Sequence, residues 1–143
     1  MNCPAHQVVV ASGDQRVPAA ATIAAVAATG KLGSQTVIMA MGDLLAVTDA
    51  FVVTSGRNVR QVRTLVDEVE RQVREATGRA PYSVEGLHDL RWVLMDYGDF
   101  IVHVFLEETR AYYDLERLWG NAPRVAWDEQ DRVWDATAPL TER

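Results

Sequence analysis

The feature that most constrains this chain is a run of seven apolar residues, Val59, Val62, Leu65, Val66, Val69, Val73 and Ala76, spaced by three, four and one. That spacing predicts a single apolar stripe along a helix of roughly five turns. Asn58 is placed to cap its start and Gly78 to end it. Asp67 with Arg71, and Glu70 with Arg74, sit four apart in the favourable order. A helix with one greasy face must lie on another layer.

The rest of the chain supplies that layer. Residues 36–41 (TVIMAM) and 50–54 (AFVVT) are β-branched and apolar without clean alternation, the pattern of strands buried on both faces or nearly so. Residues 92–96 (WVLMD) and 100–106 (FIVHVFL), split by Tyr97-Gly98, read as a β-hairpin, and 81–84 as a short strand. Before them, the alanine-rich residues 18–29 form a short helix, with Pro18 suited to its first turn and Gly30 to its end. After them, Tyr112, Leu115, Leu118 and Trp119 mark one helix over 109–119, stopped by Gly120. The expected fold is an α/β single domain, a mixed sheet of about five strands flanked by helices. Residues 1–17 read as an irregular extension in which 8–10 could add a strand, 18–123 as the domain, and 124–143 as a polar tail holding Trp127 and Trp134.

Composition narrows the function. The 143 residues suit one domain, large enough to bury about 70% of the surface its unfolded chain exposes. Cys3 is the one cysteine, so neither a disulfide framework nor a cysteine metal site can be built, which fits a reducing compartment. A net charge of −6 is a poor footprint for gripping phosphates and suits a basic partner, or a surface that is merely soluble. No apolar run is long enough for a bilayer, and residues 1–17 lack the pattern of a signal peptide, so a cytoplasmic protein without a membrane partner is expected.

Candidates for chemistry are few. Asp96 and Asp99 flank the hairpin turn. Across a two-residue loop they would face each other and could share a proton or a divalent metal; equally, they could be turn-end carboxylates bonding nearby N–H groups. Ser55-Gly56, between a strand and a helix, suits an anion site at a helix start, or only a capped turn. Gly30-Lys31-Leu32-Gly33 matches a G-x-x-G loop, but in an acidic chain and between a helix and a strand. His6, His88 and His103 show no metal-ligand spacing, and no nucleophile motif is present. No catalytic residue, metal or cofactor is therefore expected. Trp92, Leu94 and Asp96 share one face of their strand, Val93 and Met95 the other; a large aromatic there is either an interface anchor or core.

Trp92, Asp96-Tyr97-Gly98-Asp99, Val102-His103-Val104-Phe105, Glu108, Arg110, Tyr112-Tyr113, Leu115-Glu116 and Leu118-Trp119 together resemble the signature of the ribosomal silencing factor family (RsfS, Iojap or DUF143). Thr48-Asp49, residues 51–56, Asn58, Arg60-Gln61-Val62 and Glu85-Gly86 match it upstream, so the resemblance spans about residues 31–123. It implies a nucleotidyltransferase-like fold without transferase activity, a protein that binds the large ribosomal subunit through that subunit's ribosomal protein fourteen (uL-fourteen). Occupying the joining face would block the small subunit and lower translation under nutrient limitation. On matching positions Trp92, Leu94 and Tyr97 would touch the partner, with Asp96 and Asp99 as acidic neighbours. Two departures stand out: residues 31–35 form a Gly-Ser segment after a short first helix, and strand one ends in Ala40-Met41-Gly42 where the family has an aspartate. The residues also leave two other readings open: a metal-dependent nucleotidyl- or phosphoryl-transfer enzyme using Asp96 and Asp99, and a homodimeric scaffold using the same hydrophobic face.

Overall fold

The structure is a computed structural model that describes residues 17–42, 44, 45, 47–125 and 127. Expectations for Cys3, His6, the strand at 8–10 and Trp134 lie outside the described residues. In chain order the elements are α1 Ala19–Gly30, β1 Ser34–Ala40, β2 Ala50–Gly56, α2 Val59–Thr77, β3 Ser83–Glu85, β4 Trp92–Asp96, β5 Phe100–Leu106, α3 Glu107–Tyr113 and α4 Leu115–Leu118. The five strands form one sheet in the order β1-β2-β5-β4-β3, with β2 parallel to β5 and every other pair antiparallel. The mixed α/β sheet expected from the pattern is what folds.

The α2 stripe buries Val62, Leu65, Val66, Val69 and Val73, each worth about 1.5–3 kcal/mol. Its ends, Val59 and Ala76, lie outside the core. Asn58 Oδ1 accepts the Gln61 N–H at 2.9 Å, and Gly78 at φ +79° returns its N–H to Arg74 O. Gln61 Nε2 also donates to the Lys31 and Leu32 carbonyls, tying the α1–β1 turn to the helix start. Glu70–Arg74 forms as expected, but Asp67 pairs with Arg63, and Arg71 with Glu68 and Glu75. These exposed pairs are interchangeable because each contributes only a few tenths of a kcal/mol (about 0.3–0.5).

Helices α1 and α2 cover one sheet face. Buried alanines of α1 (20, 21, 24, 25, 27 and 28) bring its backbone close to α2 and the sheet. At Gly33 a Cβ would come 2.4 Å from Thr54 Oγ1 and 3.0 Å from Ala28 O. The glycine is there for close packing.

The other face carries a second cluster of Met39, Met41, Phe51, Val53, Phe105, Leu115 and Ala122. β2, enclosed by both clusters, is buried at every position, which accounts for its lack of alternation. The helix expected over 109–119 is two helices broken at Asp114, which adopts φ +51°. The break resets the helical phase. Leu115 and Trp119 turn inward, while Tyr112 and Leu118 stand 81% and 69% exposed instead of completing an inward stripe. Past Pro123 the chain is not free: Val125 N–H donates to Ile38 O, Ala40 N–H to Pro123 O, and Val125 and Trp127 pack on the core.

Candidate functional site

β4 is where the two sheet faces differ most. Val93, Met95 and the following Tyr97 point into the α1/α2 core and are buried, whereas Trp92, Leu94 and Asp96 on the opposite face are only half-buried. α3, α4 and the segment after them cover β1, β2 and β5, and leave β4 and the short β3 largely open. The hairpin register sets Trp92 opposite Phe105, Leu94 opposite His103 and Asp96 opposite Ile101, and β3 sets Glu85 beside Leu94. The result is a small apolar strip edged by carboxylates.

Trp92 is held on three sides. Its indole stacks on Phe105 with centroids 4.8 Å apart, meets Tyr113 at 4.9 Å, and donates its N–H to His103 Nδ1 at 3.1 Å. Tyr112 lies edge-on to Tyr113 at 5.0 Å and extends the aromatic row to the surface. Asp89, Arg91 and Glu108 line a groove of about 560 Å³ beside it. The backbone before β4 is fixed by Gly86 at φ +95°, where a Cβ would come 2.2 Å from the Trp92 carbonyl. Strand parity alone puts Trp92 and Leu94 on one face, as the structure has them. The sequence did not mark His103 as the acceptor or Tyr113 as the neighbour; parity with Phe105 was the available signal for His103.

Tyr97 is a correction. Its side chain is 1% exposed, stacks on Phe100 at 4.6 Å, and lies on the face opposite Trp92. Burial pushes its phenol up to about 12. It therefore supports the hairpin from beneath and offers no ring to a partner, because strand parity turns residue 97 inward. The two-residue loop is also shifted by one position, from the expected Tyr97-Gly98 to Gly98-Asp99. Tyr97 N–H bonds Phe100 O, so Asp96 faces Ile101 and not Asp99.

Asp96 Oδ1 accepts the Gly98 N–H at 2.9 Å, and Asp99 is paired with Arg79 at 2.7 Å, the guanidinium carbon lying 5.6 Å from the Phe100 ring centroid. Both carboxylates of the proposed metal pair are thus occupied by the turn and by a cation. Among the described residues no group of three or more His, Cys, Asp or Glu could hold a metal ion.

Ser55 and Gly56 likewise serve the fold. Ser55 Oγ takes a 2.9 Å bond from Arg110 and lies 3.1 Å from Ser34 Oγ, and a Cβ at Gly56 would meet Val62 N at 3.1 Å. Ser55 Oγ is thus engaged by Arg110 and Ser34, and Gly56 is there for its close approach to the start of α2. Arg110, 6% exposed, is the centre of the network. Its five N–H donors go to Ser34 O, Gln35 O, Ser55 Oγ and the Glu116 carboxylate. The β1 register shift, with Gln35 at φ +51°, turns both carbonyls toward it. Burial alone would raise the Glu116 carboxyl, but the hydrogen bonds and charge of Arg110 outweigh it and hold the group below its ordinary range.

The fold and the site together define an acidic mixed α/β domain with an aromatic strip on a partly open sheet face. Comparison with known proteins gives the family. Residues 14–142 match the model of RsfS, "Ribosomal silencing factor during starvation". The chain is 39% identical over 106 residues to the ribosomal silencing factor of Bacillus subtilis, covering 74% of this chain and 89% of that one. A mouse protein named mitochondrial assembly of ribosomal large subunit protein 1 is 35% identical over 74 residues, 50% of this chain and 32% of that one. A crystal structure of a Chromobacterium violaceum protein superposes with a TM-score of 0.69 at 32% identity, covering 73% of this chain and 87% of that one. The chain belongs to the ribosomal silencing factor family.

Proposed function

We propose that this protein is a translational repressor and not an enzyme: it binds the large ribosomal subunit at its joining face, through ribosomal protein fourteen of that subunit, and sterically blocks association with the small subunit. The observation that carries this reading is the open outer face of β4, where Trp92 and Leu94 stand half-buried among carboxylates. Aromatic anchors with an acidic rim suit a basic ribosomal protein, and the net charge of −6 favours the encounter. The silencing role in the family's description and the large subunit in the mouse relative's name point the same way. Asp96 and Asp99 remain part of the surface as acidic neighbours, while Tyr97 acts through the hairpin it supports.

The test is sedimentation of the purified protein with isolated large subunits through a sucrose gradient. Comigration at low salt that weakens as salt rises is expected, since screening reduces charge complementarity. Absence from the large-subunit fractions at low salt refutes the proposal.

A further inference from the structure

Three contacts keep the Trp92 indole in place, and they differ in kind. Stacking on Phe105 and the touch of Tyr113 tolerate sliding, and they would tolerate a flipped ring. The hydrogen bond from the indole N–H to His103 Nδ1, at 3.1 Å, is directional and decides which edge of the ring faces the protein. His103 sits on β5, 4% exposed, with Phe51 edge-on at 4.5 Å and Phe105 at 6.2 Å. An apolar side chain would fill that space without burying a polar atom.

The imidazole does bury one at a cost. Nδ1 accepts a hydrogen bond only when it carries no proton, so the proton of the neutral ring is on Nε2. Nε2 is buried and has no partner among the described residues. Burial depresses the imidazole pKa to about 4, which keeps the ring neutral near pH 7. Among the described residues, the one polar contact that the buried ring makes is with Trp92, and a donor without a partner there is retained beside it.

We infer that His103 is a positioning residue, whose Nδ1 locks the Trp92 indole in the orientation that the partner meets. The inference rests on reading the open face of β4 as the partner surface.

The test has two arms. The Trp92 indole N–H is assigned in a ¹⁵N spectrum by its loss in Trp92→Phe, and its exchange with solvent is followed; binding to large subunits is measured in parallel. In the parent protein the indole proton is expected to be protected. His103→Leu, which removes the acceptor, should expose it to fast exchange and weaken subunit binding by about tenfold or more. His103→Asn places an oxygen near the Nδ1 position and should restore both, whereas His103→Gln places it near Nε2 and should restore neither. The Asn and Gln pair keeps the test decisive if the Leu variant fails to fold. A parent indole proton that exchanges freely, or one equally protected in Asn and Gln variants, overturns the assignment. So does an indole released in His103→Leu with subunit binding unchanged. A parent protein that does not bind subunits refutes the ribosome reading instead, and the exchange arm then decides the His103 contact by itself.

Discussion

At the scale of single residues, Arg110 and His103 show opposite ways of burying a polar group. Arg110 is buried with all five donors answered, so removing it strands the Glu116 carboxylate and two carbonyls together. Arg110→Met should lower stability by about 3–5 kcal/mol, read from the shift of a denaturant midpoint, because the loss of one partner leaves an uncompensated buried charge. His103 is buried neutral, with burial alone lowering its pKa from 6.5 to about 4. The folded form therefore resists a proton that the unfolded chain accepts. The contribution is fully present above about pH 6.5, declines as pH falls, and levels off below about pH 4, a change of about 3 kcal/mol. Glu116, whose carboxyl is held low, adds a loss in the same direction at more acid pH. The stability of the parent relative to His103→Leu should thus fall by about 3 kcal/mol as pH drops from about 7 to about 4, and a difference that stays constant would contradict this account.

Among the elements, the hairpin and the α1–β1 turn are set by close approaches that no period reveals. Gly86 combines a left-handed φ with a backbone contact that leaves no space for Cβ, and that contact is the Trp92 carbonyl. Gly86→Ala should cost about 1–3 kcal/mol in thermal or denaturant unfolding and shift the Trp92 indole resonance. Gly33 has an ordinary φ sign but is wedged between Thr54 and Ala28, so Gly33→Ala should cost a similar amount, about 1–3 kcal/mol, while leaving that resonance in place. Comparing the two separates strain at the partner-facing strand from strain in the core. The Gly-Ser segment that departs from the family pattern is thus consistent with tight packing of α1, and Gln35 within it delivers a carbonyl to Arg110. The single helix expected over 109–119 failed for a related reason. A left-handed residue at Asp114 has no sequence signature as strong as glycine, yet it rotates everything after it.

For the whole molecule, one sheet face is core and the other is divided between core and surface. Leu94→Arg changes only the open half. It should leave stability within about 1 kcal/mol, while weakening subunit binding by more than about tenfold by setting a cation against a basic partner. Unfolding of this variant would place Leu94 in the core; full binding would remove β4 from the partner surface. By itself the sequence determined the parts whose signal is periodic or local: α2 with its cap and glycine stop, the strands β2, β4 and β5, the α/β class, and the family pattern. It also placed Trp92 and Leu94 together, since strand parity needs no tertiary information. Only the folded chain decided which face of β4 is covered, because that depends on where α3 and α4 dock. Register set Asp96 against Ile101 and buried Tyr97, and a contact between adjacent strands made His103 the acceptor for Trp92. Those outcomes depend on pairing between distant segments, and a hydrophobic pattern carries no record of which apolar face will be left without a neighbour.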